Sequence, residues 1–230
     1  MDAFTYNCME IKAIAHIETD FGSKFGVPRQ SGVVAHARGR IVFEKEYRVR
    51  DALRGLEEFS HIWLLWDFSE SHRDKWSPTV RPPRLGGNKR VGVFATRSPY
   101  RPNNIGLSSV RLVGIDYEAE DGPVLLVEGA DMVNGTPIYD IKPYLAYTDM
   151  HRDATSGFVQ SSGDDMFCLD VELSDDVREL FDGERLEALK EVLANDPRPH
   201  YQTDDNKQYV MEFGGHEIKF VVRGGTLTVL

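Results

Sequence analysis

The sequence predicts a mainly β protein, an antiparallel β-barrel followed by a small α+β unit, and three observations carry that reading. Short apolar runs punctuated by proline and glycine fill the first two thirds of the 230 residues. Strand-like and helix-like patterns do not alternate, and no GxGxxG occurs, so a dinucleotide-binding α/β domain is disfavoured. Beyond a small polar stretch, the texture changes to one helical stripe and a hairpin.

Residues 11–17 (IKAIAHI) alternate as a strand, and residues 41–47 form a second. Residues 50–56 fit a short helix closed at Gly55 or soon after. Residues 61–68 are almost wholly apolar, which suits a strand buried on both sides. Strands at 107–117 and 124–128 flank Glu120-Asp121-Gly122-Pro123, a hairpin signal. The run TSGFVQSSGDD from Thr155 reads as a linker. Ser174 is placed to cap a helix bearing Val177, Leu180 and Phe181. Gly183 interrupts, and Leu186, Leu189, Val192 and Leu193 resume the stripe. Residues 208–213, a Gly214-Gly215 turn, 217–222 and 226–230 supply the closing strands. The expected division is a barrel domain over 1–155, a linker over 156–165 and a small α+β domain over 166–230.

The chain is 41% hydrophobic, enough for a substantial core. Its longest apolar run, Ile62-Trp63-Leu64-Leu65-Trp66, falls far short of a membrane span. The first residues lack a basic start and a continuous apolar stretch, so no signal peptide is expected and the compartment read from the sequence is the cytoplasm. Cys8 and Cys168 belong to no metal-ligand spacing, so free thiols and no metal are expected. The net charge of −10 is unevenly spread: residues 72–111 hold nine Lys and Arg against Asp74 alone, a net of +8. A basic island in an acidic chain points to an anion-binding face.

Four segments combine stiff, irregular backbone with polar groups. They are residues 26–32 (GVPRQSG), 81–106 (RPPRLGGN and, further on, ATRSPYRPNNIG), 131–137 (DMVNGTP) and 138–144 (IYDIKPY). Proline stiffens such a loop before anything binds, and glycine lets a ligand lie against the backbone. Arginine suits a carboxylate or phosphate.

Residues 92–112 (GVFATRSPYRPNNIGLSSVRL), RPPRLGG at 81–87 and NGTPIYDIKPY at 134–144 resemble the signature of the TsaA-like proteins, among them the TrmO tRNA methyltransferases. DPRPHYQTDDNKQYVMEF at 196–213 resembles the small second domain of the bacterial members. The resemblance implies a single-sheet barrel that dimerises and holds S-adenosyl-L-methionine in loops near the dimer interface. It implies methylation of N6 of threonylcarbamoyladenosine at tRNA position 37, in the anticodon stem-loop. It places cofactor contacts on Pro28, Arg29 and Gln30, on Ser69 and Glu70, on Arg97 and Leu107, and on Asn134, Gly135, Thr136 and Pro137. The chain departs from the family at Ser69 (commonly near a histidine), Asn134 (an aspartate) and Asn104 (a proline).

A sulfonium methyl is already activated, so the protein must align acceptor nitrogen, methyl carbon and sulfur rather than create an electrophile. A carboxylate near the acceptor would assist its deprotonation, and Asp140, beside Tyr139 and Lys142, is the candidate base. Arg101 is the candidate contact to RNA phosphate or to the threonyl carboxylate. Two alternatives stand beside this reading: the same barrel methylating another substrate, and a non-catalytic module that senses the cofactor.

Overall fold

The computed structural model of the chain describes residues 10–161, 168–198, 204–205 and 207–230. Cys8, residues 162–165 of the expected linker and part of the 196–213 motif lie outside the described residues, and the described part of the linker carries a short helix at Phe158–Ser161.

The first eight strands are β1 (Ala15–Thr19), β2 (Arg38–Phe43), β3 (His61–Asp67), β4 (Thr79–Val80), β5 (Val91–Gly92), β6 (Ile105–Asp116), β7 (Val124–Glu128) and β8 (Thr136–Pro143). Six of them close a barrel in the order β1-β2-β7-β6-β3-β8, with β8 pairing back to β1. Every pair is antiparallel. The barrel closes because one side of each strand is apolar: Ile17, Ile41, Ile62, Leu64, Leu125 and Ile138 are fully buried inside it. The 61–68 run differs from expectation. Ile62, Leu64 and Trp66 point inward, but Trp63 and Leu65 are only partly covered on the outer face.

Alternating strand directions fix where the connections emerge. β1, β3 and β7 run towards one rim, and β2, β6 and β8 start from it. The connections 20–37, 68–104 and 129–135 therefore leave the barrel at the same end. The 44–60 and 117–123 connections lie at the other.

Four helices and four strands follow: α1 (Ala146–Asp149), α2 (Phe158–Ser161), β9 (Asp170–Glu172), α3 (Asp175–Leu180), α4 (Gly183–Ala194), β10 (Tyr209–Phe213), β11 (His216–Arg223) and β12 (Thr226–Val229). The second sheet is ordered β10-β11-β12-β9, and its last pair is parallel. α4 lays Ala188, Leu189, Val192 and Leu193 in the core of this unit. Its N-terminus is capped by Asp182, which accepts from the Arg185 backbone N–H at 3.0 Å. Ser174 occupies the N-cap position of α3, yet its hydroxyl makes no cap bond and is buried without a partner among the described residues.

The second core is not built from C-terminal residues alone. Phe21, Val34 and Ala37, from the connection between β1 and β2, are buried in it, and Phe25 and Val27 pack against it. Polar contacts follow the same seam. Arg185 pairs with Asp20, His36 Nδ1 lies 2.6 Å from Glu191, and Arg29 donates to the carbonyls of Asp196 and Arg198 at 3.2 and 3.1 Å.

Four sequence expectations shift. The first strand lies at Ala15–Thr19 rather than 11–17, and the second at Arg38–Phe43. The 50–56 helix is two 3-10 turns, Arg50–Leu53 and Leu56–Glu58, parted by Gly55 at φ 85°. Residues 136–143, read as irregular, form a barrel strand whose two prolines sit at its second and last positions, where a missing N–H costs least. Among the described residues no helix is long and apolar enough to cross a membrane.

Candidate active site

Three of the four segments with unusual composition, 26–32, 81–106 and 131–137, lie at one rim, while 138–144 runs along β8 away from it. The 20–37 connection carries Pro28, Arg29 and Gln30, and the 68–104 connection carries Ser69, Glu70, Arg97 and Arg101. The 129–135 connection leads through Asn134 and Gly135 into Thr136 and Pro137. Leu107 is the third residue of β6, just below the rim.

Each loop is tied to its neighbours. The Gly32 N–H donates to the Gly129 carbonyl at 3.0 Å. Gly129 stands at φ 80° with the Gly32 backbone 3.1 Å from where a Cβ would sit, so only glycine fits this approach. Arg97 donates to the Gln30 side-chain oxygen, joining the first two connections. Lys24 donates to the Glu70 carbonyl, joining them again. The Asn134 side-chain oxygen accepts from the Thr19 backbone N–H at 3.0 Å, and the Asn134 backbone N–H donates to the Phe21 carbonyl at 2.8 Å. Asn134 is thus a clamp on the end of β1, a task that a neutral amide performs well.

Below these loops, on the outer face of β3 and β6, lies a cleft of about 410 Å³ lined by Ser31, His61, Trp63, Arg97, Leu107, Ser109 and Tyr144. Leu107 is 56% exposed, an open apolar wall. At the far end the Trp63 indole N–H donates to Asp149 at 2.8 Å, fixing the α1 turn beside Tyr144. Asp149 is held below the usual carboxylate range, first by the Leu145 backbone N–H and then by Trp63.

Behind Ser31 and Arg97 stands a carboxylate that sequence reasoning passed over. Asp131 accepts from the Ser108 hydroxyl at 2.6 Å, and that hydroxyl accepts from the Trp66 indole N–H at 3.0 Å. The backbone N–H of Ser31 also donates to Asp131, and the Arg97 charge favours its ionised form. Burial outweighs these stabilising contacts and raises its pKa from 3.8 to about 6. The chain of donors depends on Gly106, because a side chain there would overlap the Trp66 ring.

Asp140 does not join this group. Its carboxylate pairs with Lys142 at 2.9 Å, accepts from the Ile141 backbone N–H at 2.9 Å, and borders a separate cavity with Phe43, Tyr47 and Pro143. Arg101 lies near the site but braces its own loop, donating from Nη1 to the carbonyls of Thr96 at 2.7 Å and Val93 at 3.3 Å. Among the described residues no carboxylate comes within ion-pair distance of Arg73, Lys75, Arg81, Lys89, Arg90, Arg97 or Arg101. Arg111 is the exception, 3.3 Å from Glu128.

Comparison with known proteins agrees with this layout. Residues 16–150 match the tRNA-methyltransferase O N-terminal domain, and residues 168–230 match the TrmO C-terminal domain. The tRNA (adenine(37)-N6)-methyltransferase of Escherichia coli K12 is 42% identical over 197 residues, 84% of this chain and 83% of its own length. A Pseudomonas aeruginosa protein named for S-adenosylmethionine-dependent methyl transfer is 42% identical over 199 residues, 84% of this chain and 83% of its own. The crystal structure of TrmO from Pseudomonas aeruginosa superposes with a TM-score of 0.77 at 32% identity, covering 99% of this chain and 97% of that one. Fold and sequence thus agree over both parts of the molecule, and the chain belongs to the TrmO family of tRNA methyltransferases.

Proposed function

We propose that this chain transfers a methyl group from S-adenosyl-L-methionine to N6 of threonylcarbamoyladenosine at position 37 of tRNA, acting in the cytoplasm on the anticodon stem-loop. The observation that carries the reading is a cleft lined by Arg97 and Leu107, with the carboxylate of Asp131 buried behind it, beneath three connections that leave the barrel at one end.

The residues present fit the donor. Arg97 offers a guanidinium to its carboxylate, Leu107 an apolar wall, and Asp131, mostly ionised at neutral pH, a negative charge suited to a cationic molecule. Pro28, Arg29, Gln30, Ser69, Glu70 and residues 134–137 stand on connections at the same end of the barrel, and we assign them to the donor's surroundings. The bound donor supplies a methyl that needs no further activation. The protein's part is to hold the acceptor in line and to exclude water. Asp131 takes the place first given to Asp140, which we assign to bracing β8. Arg101 holds the loop that presents Arg97 and keeps its other nitrogens for an anion.

The open side of the cleft also supports a homodimer. Leu107, Tyr147 (87% exposed) and Met150 (50% exposed) are large apolar groups on or beside the outer β3–β6 face. A second copy covering them would complete the cleft wall. Light scattering on the purified chain should give twice the monomer mass, and Leu107→Asp should return it to one.

The decisive experiment incubates the protein with labelled S-adenosyl-L-methionine and tRNA carrying or lacking the threonylcarbamoyl group, followed by nucleoside digestion. Label in the modified adenosine of the first pool alone is the expected result. Equal label in both pools would replace the acceptor, and binding without label would replace catalysis with sensing.

A further inference from the structure

The β3–β6 connection carries two large rings that the cleft does not use. Trp76 is 49% exposed and Phe94 is 70% exposed, and their ring centroids lie 6.2 Å apart with planes inclined by 31°. The β4–β5 ribbon brings them together, because Thr79 pairs with Gly92 and the Val93 N–H donates to the Pro78 carbonyl at 3.0 Å. Cations flank the pair. The Arg101 guanidinium is 5.7 Å from the Phe94 ring centre, and Arg73 sits 3.6 Å above the neighbouring Tyr100 ring. Neither arginine has a carboxylate partner among the described residues.

Phe94 precedes Arg97 by three residues, so it lies within about 11 Å of the cleft lining. One or two nucleotides of an unstacked strand cover that distance. A second copy of the chain is a poor occupant, since a two-fold contact here would set one +8 segment against another. Bases with phosphates between them match both the open π faces and the unpaired charge.

We propose that Trp76 and Phe94 form a stacking platform for an unpaired base adjoining the target nucleotide, with Arg73 and Arg101 on the intervening phosphates. This inference rests on the RNA-methyltransferase reading above.

The test is steady-state methyl transfer with the full-length protein and tRNA. Trp76→Ala/Phe94→Ala should raise KM for tRNA by at least about tenfold while leaving kcat and donor affinity within about twofold. Because no cation is removed, the double variant should keep the wild-type salt slope, whereas Arg73→Ala should flatten it by about one. Trp76→Phe retains a stacking ring and should restore most of the KM. An unchanged KM in the double variant overturns the platform, as does a change in its oligomeric mass, which would make the rings a self-association surface. A wild-type protein with no activity on any tRNA overturns the functional reading itself and the platform with it. Active wild type with an indifferent double variant overturns only the platform.

Discussion

At the scale of single residues, two aspartates nine positions apart are separated by burial. Asp140 sits on the barrel's outer face against Lys142, while Asp131 is walled in behind Arg97 and its pKa rises to about 6. Methyl transfer should therefore fall at least tenfold in Asp131→Asn and less than twofold in Asp140→Asn, measured at saturating donor. Activity of the wild type should decline as pH drops through about 6, and Asp131→Asn should lack that limb. Stability should move the other way. The fold holds the Asp131 proton more tightly than the unfolded chain does, so this group's contribution is complete below about pH 4 and lost as pH rises through 6. Asp131→Asn should then melt roughly 6–12 °C above wild type at pH 8, with the gap closing near pH 4. The sequence exposed the 131–137 segment as unusual, but it favoured Asp140 because a tyrosine and a lysine flank it. Only the closed barrel shows that Ser108, Trp66 and Ser31 surround Asp131 instead.

Among the elements, the strands with regular alternation were legible, and β7 lies at 124–128 as expected. β8 was hidden by its prolines and by a register shift between Leu65 and Trp66 on its partner. β9 is three residues long, and only its parallel pairing with β12 defines it, which local pattern cannot reveal. The β1–β2 connection is the more consequential surprise. Its 26–32 stretch reads as a stiff, irregular segment with polar groups for a ligand, yet Phe21 and Val34 beside it are each 1% exposed because a core from the far end of the chain covers them. Ending the chain at residue 155 should accordingly weaken donor binding at least tenfold by calorimetry, even if the barrel's strand signal persists in circular dichroism. Phe21→Ala, which opens a cavity at that seam, should cost about 3–5 kcal/mol of stability. A truncated barrel that binds donor like the full chain would assign the C-terminal unit to RNA contact alone.

For the whole molecule, charge placement decides how RNA can approach. The chain is acidic overall at −10, but residues 72–111 carry +8 with their cations largely unpaired at the rim. A tRNA should bind through this island with an affinity that falls steeply in salt. Six phosphate contacts would give a log–log slope of roughly −4 to −5 by filter binding between 50 and 200 mM salt. A slope near zero would mean that the acidic remainder cancels the island. Charge distribution was readable without coordinates, and so was the barrel-plus-appendage plan. Which side of the barrel the loops share required strand order.

The shared seam also bears on ancestry. Phe21, Phe25, Val27, Val34 and Ala37 are greasy on behalf of a companion more than 130 residues downstream. Any cousin that keeps this apolar quintet while discarding the counterpart of residues 168–230 must clothe it with some other surface. Those five positions therefore serve as a tracer: wherever they stay oily in a shortened descendant, a substitute cover awaits discovery.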